Sequence, residues 1–477
     1  MDSTDFHIEL NPAVIVIFGI TGDLSTRKLL PSLYQLTKNG LLHDKTRILG
    51  VTRREVDLSD LLDKAKLCVR EQDGECDDEA LAQLEDRIEL YQMNAAEADG
   101  YPGLKDYLDK IEDEVGMCVS RLFYLSIPPQ ISTPIIRHLG EQGLNHGCQK
   151  HGAKARLLLE KPFGFDMRTA EELVAETTKH FEEGQIFRID HYLAKETVQN
   201  IVTFRFRNPI FEDIWNNRHI SAIEVVADEK LDIEGRANFY EQTGALRDLI
   251  QSHLLHVMSV VMMEKPADIT DSDAIHSSRL NLLNSIESVP ADQLAKRALR
   301  GQYDGYRAEV DNDKSNMETF AALKLYSRLE AWRNVPIYLR SGKALSAKRT
   351  AVTVSFKPEA GDHDHANQLT FNIQPNEGIE LQLWVKRPGF ERRLQTAPMS
   401  FRYDQTFDEH GHPDAYERVL VDAIRGNHTL FATSDEVLSA WRIIEPVITA
   451  WSQDGADLKT YAKGSAGPDL SSLEEAD

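Results

Sequence analysis

From residue 13 to about residue 192 the chain alternates short apolar runs with longer stretches of helical period. The runs Val14–Phe18, Arg47–Val51, Ile88–Tyr91, Leu122–Ser126, Ala155–Glu160 and Gln185–Ile189 are predicted as strands. Several, such as Val14-Ile15-Val16-Ile17-Phe18 and Leu157-Leu158-Leu159, show no polar alternation, as expected of a parallel sheet covered on both faces. Leu29–Thr37, Leu58–Val69, Ile131–Glu141 and Thr169–His180 read as intervening helices. About six such repeats predict an α/β, Rossmann-like doubly wound parallel sheet. From about residue 193 the pattern changes. Helical stretches (Leu246–Met263, Asp292–Leu299) give way to period-two runs at Ala351–Phe356, Gln368–Asn372 and Ile379–Val385, then to helices at Asp414–Ile424 and Asp435–Trp451. Period-two alternation predicts a large, mainly antiparallel sheet with one face on helices, an α+β domain. The expected division is 1–192 and 193–477.

A length of 477 residues agrees with two domains. The formal charge of −23 argues against nucleic acid and anionic membrane as partners. It also means that a phosphorylated ligand requires a local concentration of Lys, Arg and His. No apolar run approaches the roughly 20 residues of a membrane helix. Met1–His7 lacks the basic and apolar regions of a signal peptide, and Cys68, Cys76, Cys118 and Cys148 show neither metal nor disulfide spacing. A cytoplasmic location is expected, with a frayed tail over Ser471–Asp477.

Such a concentration follows the sixth strand, in Arg188-Ile189-Asp190-His191-Tyr192-Leu193-Ala194-Lys195-Glu196. Ligands of open α/β sheets bind at carboxyl strand ends. A helix opening there would aim His191, Tyr192 and Lys195 at a phosphate, although a solvated helix start has the same composition. Gly19 and Gly22, in Gly19-Ile20-Thr21-Gly22-Asp23-Leu24-Ser25, follow the first strand and let the backbone approach a pyrophosphate. Ser25 stands where a third glycine is usual, and alone this spacing also suits a plain strand–helix turn. The second strand ends in Arg53-Arg54, where enzymes using NAD place a carboxylate, so a 2′-phosphate and hence NADP is favoured. Lys161, in Glu160-Lys161-Pro162-Phe163-Gly164, is held extended by the following proline and admits a cis bond. His253 is one of 16 histidines, and on an apolar helix a lone His is more often a core residue than a base. His253 and His256, three apart, lack further ligands at zinc spacing, so no metal is expected.

Residues 188–196 closely resemble R-I-D-H-Y-L-G-K-E, the substrate motif of the glucose-6-phosphate dehydrogenase family, with Ala194 for Gly. Gly19 to Lys28 resembles the family's G-x-x-G-D-L-[AS]-x-x-K, and Lys161 stands in its E-K-P-F-G. Gly244-Ala245-Leu246-Arg247-Asp248 to His253 resembles G-[AI]-[LI]-R-D-x-x-Q-N-H-L, with Ser252 for Asn; Lys343 stands in R-x-G-K-A-L. The likeness runs from Phe18 to the terminal region. It implies oxidation of glucose 6-phosphate at C1 to the lactone, opening the pentose phosphate pathway. NADP would be the cofactor and NAD a secondary one. His253 would be the base, paired with Asp190, while Lys161, His191, Tyr192, Lys195, Glu229, Asp248 and Lys343 hold substrate. Gly19, Thr21, Gly22, Asp23, Leu24, Lys28, Arg53, Tyr124 and Lys161 would hold the cofactor. A homodimer or homotetramer is expected. The rival readings are a related oxidoreductase of unphosphorylated sugars and a catalytically silent protein that binds NADP.

Overall fold

The computed structural model describes residues 10–73, 75–117, 119–147, 154–359, 365–407, 413–453 and 458–474. Met1–His7, Cys118, Cys148 and the last three residues of the tail lie outside them. Two compact units emerge. The first comprises Met1–Gly164, Arg168–Ala194 and Pro413–Ser434; the second comprises Phe165–Met167, Lys195–His412 and Asp435–Asp477.

Strands of the first unit are β1 (Ala13–Phe18), β2 (Arg47–Thr52), β3 (Ile88–Gln92), β4 (Ser120–Leu125), β5 (Ala155–Leu159) and β6 (Ile186–Ile189). They are parallel in the order β3-β2-β1-β4-β5-β6. This is the doubly wound order, whose switch point lies between β1 and β4. Every residue of β1 and β5 is buried, which is why their sequences carry no alternation. Two helices, Asp78–Glu85 and Gly100–Val115, were not expected from the sequence pattern.

The expected boundary at 192/193 falls at 194/195, and the second domain is not continuous. Pro413–Ser434 returns to the first unit because helix Ala415–Arg425 places Tyr416, Val419, Leu420, Ala423 and Ile424 in the same core as Leu122 and Tyr124. Buried Arg156 donates to the carbonyls of Ala423 and Ile424 at 2.8 and 2.6 Å. A cation there satisfies open carbonyls and meets the negative end of the helix dipole. Phe431–Ala432 then adds an antiparallel strand beside β6.

In the second unit β7 (Ile220–Asp228), β8 (Ala298–Tyr303), β9 (Phe320–Leu325), β10 (Ile337–Gly342), β11 (Arg349–Phe356), β12 (Gln368–Gln374), β13 (Gly378–Lys386) and β14 (Leu394–Arg402) form a sheet with the late strand Leu458–Tyr461. Its pairs are antiparallel except β7 with β10 and β8 with Leu458–Tyr461. The expected helix Asp292–Leu299 is a 3₁₀ turn, Ala291–Gln293, followed by one α turn, Leu294–Arg297, and Ala298-Leu299 already belong to β8. Strand pairing across the sheet overrides the local helical pattern. Leu246–Met262 is helical, as expected, and its first part, Leu246–Leu254, packs on β7, β9 and β10.

Candidate active site

At the switch point the chain leaves β1 through Gly19, whose φ of 84° and close approach to β4 leave no room for a side chain. A Cβ there would lie 2.2 Å from the Ser126 carbonyl oxygen. Ser25 explains the missing third glycine. It is buried, its hydroxyl donates to the Gly19 carbonyl at 3.0 Å, and it lies 2.9 Å from the Ser126 hydroxyl. The helix opens at Asp23-Leu24 and winds as a π turn over Ser25–Leu29, with no side-chain cap on that turn; its first backbone bond runs from the Thr26 amide to the Gly22 carbonyl at 3.1 Å. Thr21 and Asp23 are exposed and Leu24 half-buried. Lys28 pairs with Asp414 at 3.2 Å, so any cofactor contact by its ammonium must share it with that carboxylate. Past β2, Arg53 and Arg54 are exposed, while Thr52 holds the turn through its hydroxyl on the Arg54 carbonyl. Exposed guanidiniums beside the glycine turn fit a phosphorylated dinucleotide in charge and donor type.

The carboxyl ends of β4 to β6 gather two carboxylates, half-buried Glu160 and buried Asp190. Tyr124 is fully buried and its hydroxyl donates to Glu160 at 2.5 Å. Burial raises the Glu160 carboxyl to about 7; the Tyr124 bond and Lys161 oppose the rise, and Asp190 adds to it. The Lys161–Pro162 bond is cis. Asp190 is buried, and its carboxylate accepts from the Tyr192 amide at 3.0 Å. That bond closes a turn over His191–Ala194 in place of the expected helix, which starts only at Glu196 with Lys195 as its extended N-cap. An Asp side chain competing for nearby amides is the physical reason. Ala194 is buried and its φ is not positive, so replacing glycine introduces no strain there. The His191 ring stacks on Tyr416, 6.4 Å between centroids and 15° between planes. Burial, then Glu160, Asp414 and Asp190, push the Tyr416 phenol upward. Sequence reasoning passed over Glu160 and Tyr416. Glu160 carried a signal, a carboxylate closing a fully apolar strand.

In the second unit, Gly244 (φ 62°, ψ 179°) breaks the helix before the candidate base. The break presents the Ala245 and Leu246 amides to the buried Glu318, at 3.0 Å to its carbonyl and 3.2 Å to its carboxylate. A Cβ on Gly244 would lie 2.3 Å from that carboxylate. Glu318 was not found from the sequence either, because nothing local marks it as a cap 72 residues away. Leu246–Leu254 then winds as a π-helix. This winding matters for Asp248 and His253. At 3.6 residues per turn, positions five apart lie about 140° around an α-helix. Hydrogen bonding from i to i+5 brings them towards one face, and such turns occur often at functional sites. His253 is buried and Asp248 half-buried. The Ser252 hydroxyl is buried and has no hydrogen-bond partner among the described residues. His256 faces Glu436, which Arg279 (3.1 Å) and His276 (3.4 Å) also engage. Burial would raise that carboxyl, but Arg279, His276 and His256 hold it down at about 2.

Glu229 and Lys343 are the first residues beyond β7 and β10. Because these strands run parallel, with Asp228 opposite Gly342, their carboxyl ends coincide. The Lys343 ammonium pairs with the Glu229 carboxylate and lies 5.5 Å from the Tyr240 ring. Burial pushes the Tyr240 phenol well up, with Asp248 and Glu229 among the charges that add to the shift. Asp248, Glu229 and Lys343, distant in sequence, thus converge around Tyr240.

Residues 16–200 match the family model described as Glucose-6-phosphate dehydrogenase, NAD binding domain. Residues 202–474 match that of the C-terminal domain of the same family. A Glucose-6-phosphate 1-dehydrogenase of Chlamydia muridarum is 36% identical over 96% of this chain and 94% of its own length. One of Chlamydia pneumoniae is 37% identical over 96% and 93%. A solved glucose-6-phosphate dehydrogenase in complex with its substrate glucose-6-phosphate superposes with a TM-score of 0.90 at 31% identity, covering 98% of both chains. A 3-ketoreductase from Actinomadura kijaniata, at 14% identity and a TM-score of 0.51, shares the fold alone. With both halves matched by one family's domains and with relatives above 30% identity along nearly the whole length, the chain belongs to the glucose-6-phosphate dehydrogenase family.

Proposed function

We propose that this chain oxidises D-glucose 6-phosphate at C1 to 6-phospho-D-glucono-1,5-lactone, with NADP+ as cofactor and NAD+ as a weaker substitute. The observation that carries the reading is the convergence of Asp248, Glu229 and Lys343 around Tyr240, with His253 on the same π-helix as Asp248. A sugar needs carboxylates for its hydroxyls and a base for the proton it loses, and this group would supply both. Bound NADP+ supplies the hydride acceptor. Gly19, Thr21, Gly22, Asp23 and Leu24 would hold its pyrophosphate side, and Arg53 its 2′-phosphate; Lys28 and Lys161 add positive charge.

As C1 loses its hydride, the C1 hydroxyl proton passes to His253 and the C1–O bond becomes the lactone carbonyl. A histidine suits this task because its ordinary pKa lies near neutral pH. Asp190 would orient the imidazole and stabilise its charged form. Lys195, His191 and Tyr192 would take the substrate phosphate. Tyr124, being wholly enclosed, would act on ligands through Glu160. Homodimer or homotetramer formation belongs to the same reading and is supported by exposed Leu394 and Met399 on the edge strand β14. So does a cytoplasmic location. Among the described residues no helix is long and apolar enough to cross a membrane.

The test follows NADPH absorbance with glucose 6-phosphate and with glucose. Turnover of the phosphorylated sugar, with a KM raised about tenfold or more by Lys195→Ala, is expected for a charge-assisted phosphate contact. Glucose as the better substrate would favour the unphosphorylated-sugar oxidoreductases, and no turnover of either would favour a silent binder.

A further inference from the structure

The helix carrying Asp248 and His253 ends inside the second unit, where its last turn is buried through to Met263. Such an end leaves carbonyls without amide partners. The Met263 amide returns to the Ser259 carbonyl, and the next four carbonyls are each met by a side chain. Arg205 donates through Nη1 to Val260 at 3.0 Å and through Nη2 to Met263 at 2.8 Å. The Trp215 indole donates to Val261 at 2.9 Å, and the Trp332 indole to Met262 at 2.8 Å. All three side chains are buried, and the guanidinium also lies 5.2 Å from the centroid of the Trp215 ring.

A glycine in the left-handed region closes many helices without any such apparatus. This end instead takes a cation out of water, and burial pulls the Arg205 guanidinium down to about 9. The negative end of the helix dipole offsets part of that cost. Arg205 belongs to helix Glu196–Arg207, which packs against Leu255–Met262. On the buried face of that helix it follows Val198 and Ile201, at a position suited to an aliphatic side chain. The N-cap of the same helix is Lys195, roughly 15 Å away along the axis. One helix thus carries the candidate phosphate lysine at its start. Near its end it grips the helix of the candidate base, about two turns beyond His253.

On the reading that Lys195 holds the substrate phosphate and His253 takes the proton, we propose that Arg205, Trp215 and Trp332 are positioning residues. They form a clamp that keeps the base in register with the phosphate. Phosphate and C1 lie at opposite ends of one sugar. A base helix free to slide along its axis or turn about it would therefore meet C1 at the wrong distance. A misplacement of about 1 Å, caused far from the chemistry, can lower a rate on the order of 10²-fold. Four carbonyls tied to three side chains oppose both movements, since sliding and turning each break several bonds at once.

The test is a double-mutant cycle of Arg205→Met and Lys195→Ala in steady-state kinetics with glucose 6-phosphate, each variant normalised to the fraction that binds NADPH. In the wild-type background Arg205→Met should lower kcat about tenfold or more, with KM within about twofold. Arg205→Lys, which keeps a donor for one carbonyl, should recover part of the loss. With Lys195→Ala no register remains to be held, so there Arg205→Met should lower kcat/KM by less than about threefold. Losses at sites this far apart add when they share only the stability of the fold. Equal losses in the two backgrounds would therefore overturn the proposal, as would full turnover in Arg205→Met. If Arg205→Met does not fold, Trp332→Phe takes its place in the cycle. It keeps a ring and removes one donor, and a loss of about threefold in the wild-type background, absent with Lys195→Ala, is expected. No turnover by the wild type would remove the reaction itself, and the clamp's role with it.

Discussion

Two stretches of this chain, Gly19 to Leu29 and Gly244 to Leu254, are built alike and work differently. Each opens on a glycine of positive φ pressed against an oxygen that a Cβ would strike, the Ser126 carbonyl in one case and the Glu318 carboxylate in the other. Each continues into a π-helical turn. In the first, Thr21 and Asp23 before the π turn and Arg27 within it are exposed. In the second, every residue from Leu249 to Leu254 is buried. The first device turns the backbone sharply away from β1 and leaves its polar side chains in solvent. The second fixes side chains, Asp248 and His253, on one face of a helix.

If that contrast holds, side-chain replacement should be severe in the second stretch and mild in the first. His253→Asn removes the base and should lower turnover by about 10²–10⁴-fold, with the sugar's KM little changed. Arg27→Ala, which breaks only the exposed 2.9 Å pair with Asp23, should alter turnover by less than about twofold. Steady-state kinetics of the two variants decide it, and comparable losses in both would erase the distinction.

Backbone replacement should hurt in both stretches. Gly244 occupies a region open essentially to glycine, so Gly244→Ala should cost about 1–3 kcal/mol in strain, before any displacement of Glu318. Denaturant unfolding measures the cost. An unchanged midpoint would mean that the turn relaxes freely and that Glu318 does not cap the helix.

Two enclosed carboxylates, one in each unit, are held in opposite ways. Glu436 is held at about 2 by Arg279 and two histidines, whereas Glu160, facing Asp190, is raised to about 7. The consequences run in opposite directions. Above its ordinary 4.5, an unfolded Glu160 loses its proton while the folded one keeps it, so stability falls as pH rises from about 4.5 to about 7. Glu436 stabilises the fold above 4.5, and that contribution is lost as pH falls towards 2. Glu160→Gln should therefore flatten the decline between pH 4.5 and 7 in thermal melts. Parallel profiles for the variant and the wild type would show that Glu160 ionises normally in the fold.

These differences follow what sequence can and cannot carry. The strands of the first unit were legible almost to the residue because burial on both faces makes an apolar run, as in Leu157-Leu158-Leu159. The motif segments stood out in the sequence because their residues cluster locally. What escaped depends on distant partners. Glu318 caps a helix that starts at residue 246, helix Ala415–Arg425 returns to the first unit's core, and the Asp190 side chain turns His191–Ala194 away from a helix. The strand at Ala298 escaped for the same reason, since its pairing with β9 outweighs a locally helical pattern.

The smallest effect tests the departure at Ser252. The family motif carries an amide side chain where this chain has Ser252, and here the buried hydroxyl has no hydrogen-bond partner among the described residues. A buried polar group left unsatisfied costs about 1–3 kcal/mol, part of which its removal recovers, at the expense of a small void. Ser252→Ala should thus change stability by less than about 1 kcal/mol, on the stabilising side, and leave turnover near the wild-type value. A marked loss of turnover with stability intact would mean that the hydroxyl engages ligand or the His253 ring during the reaction. The second stretch would then work through one more side chain than its geometry assigns.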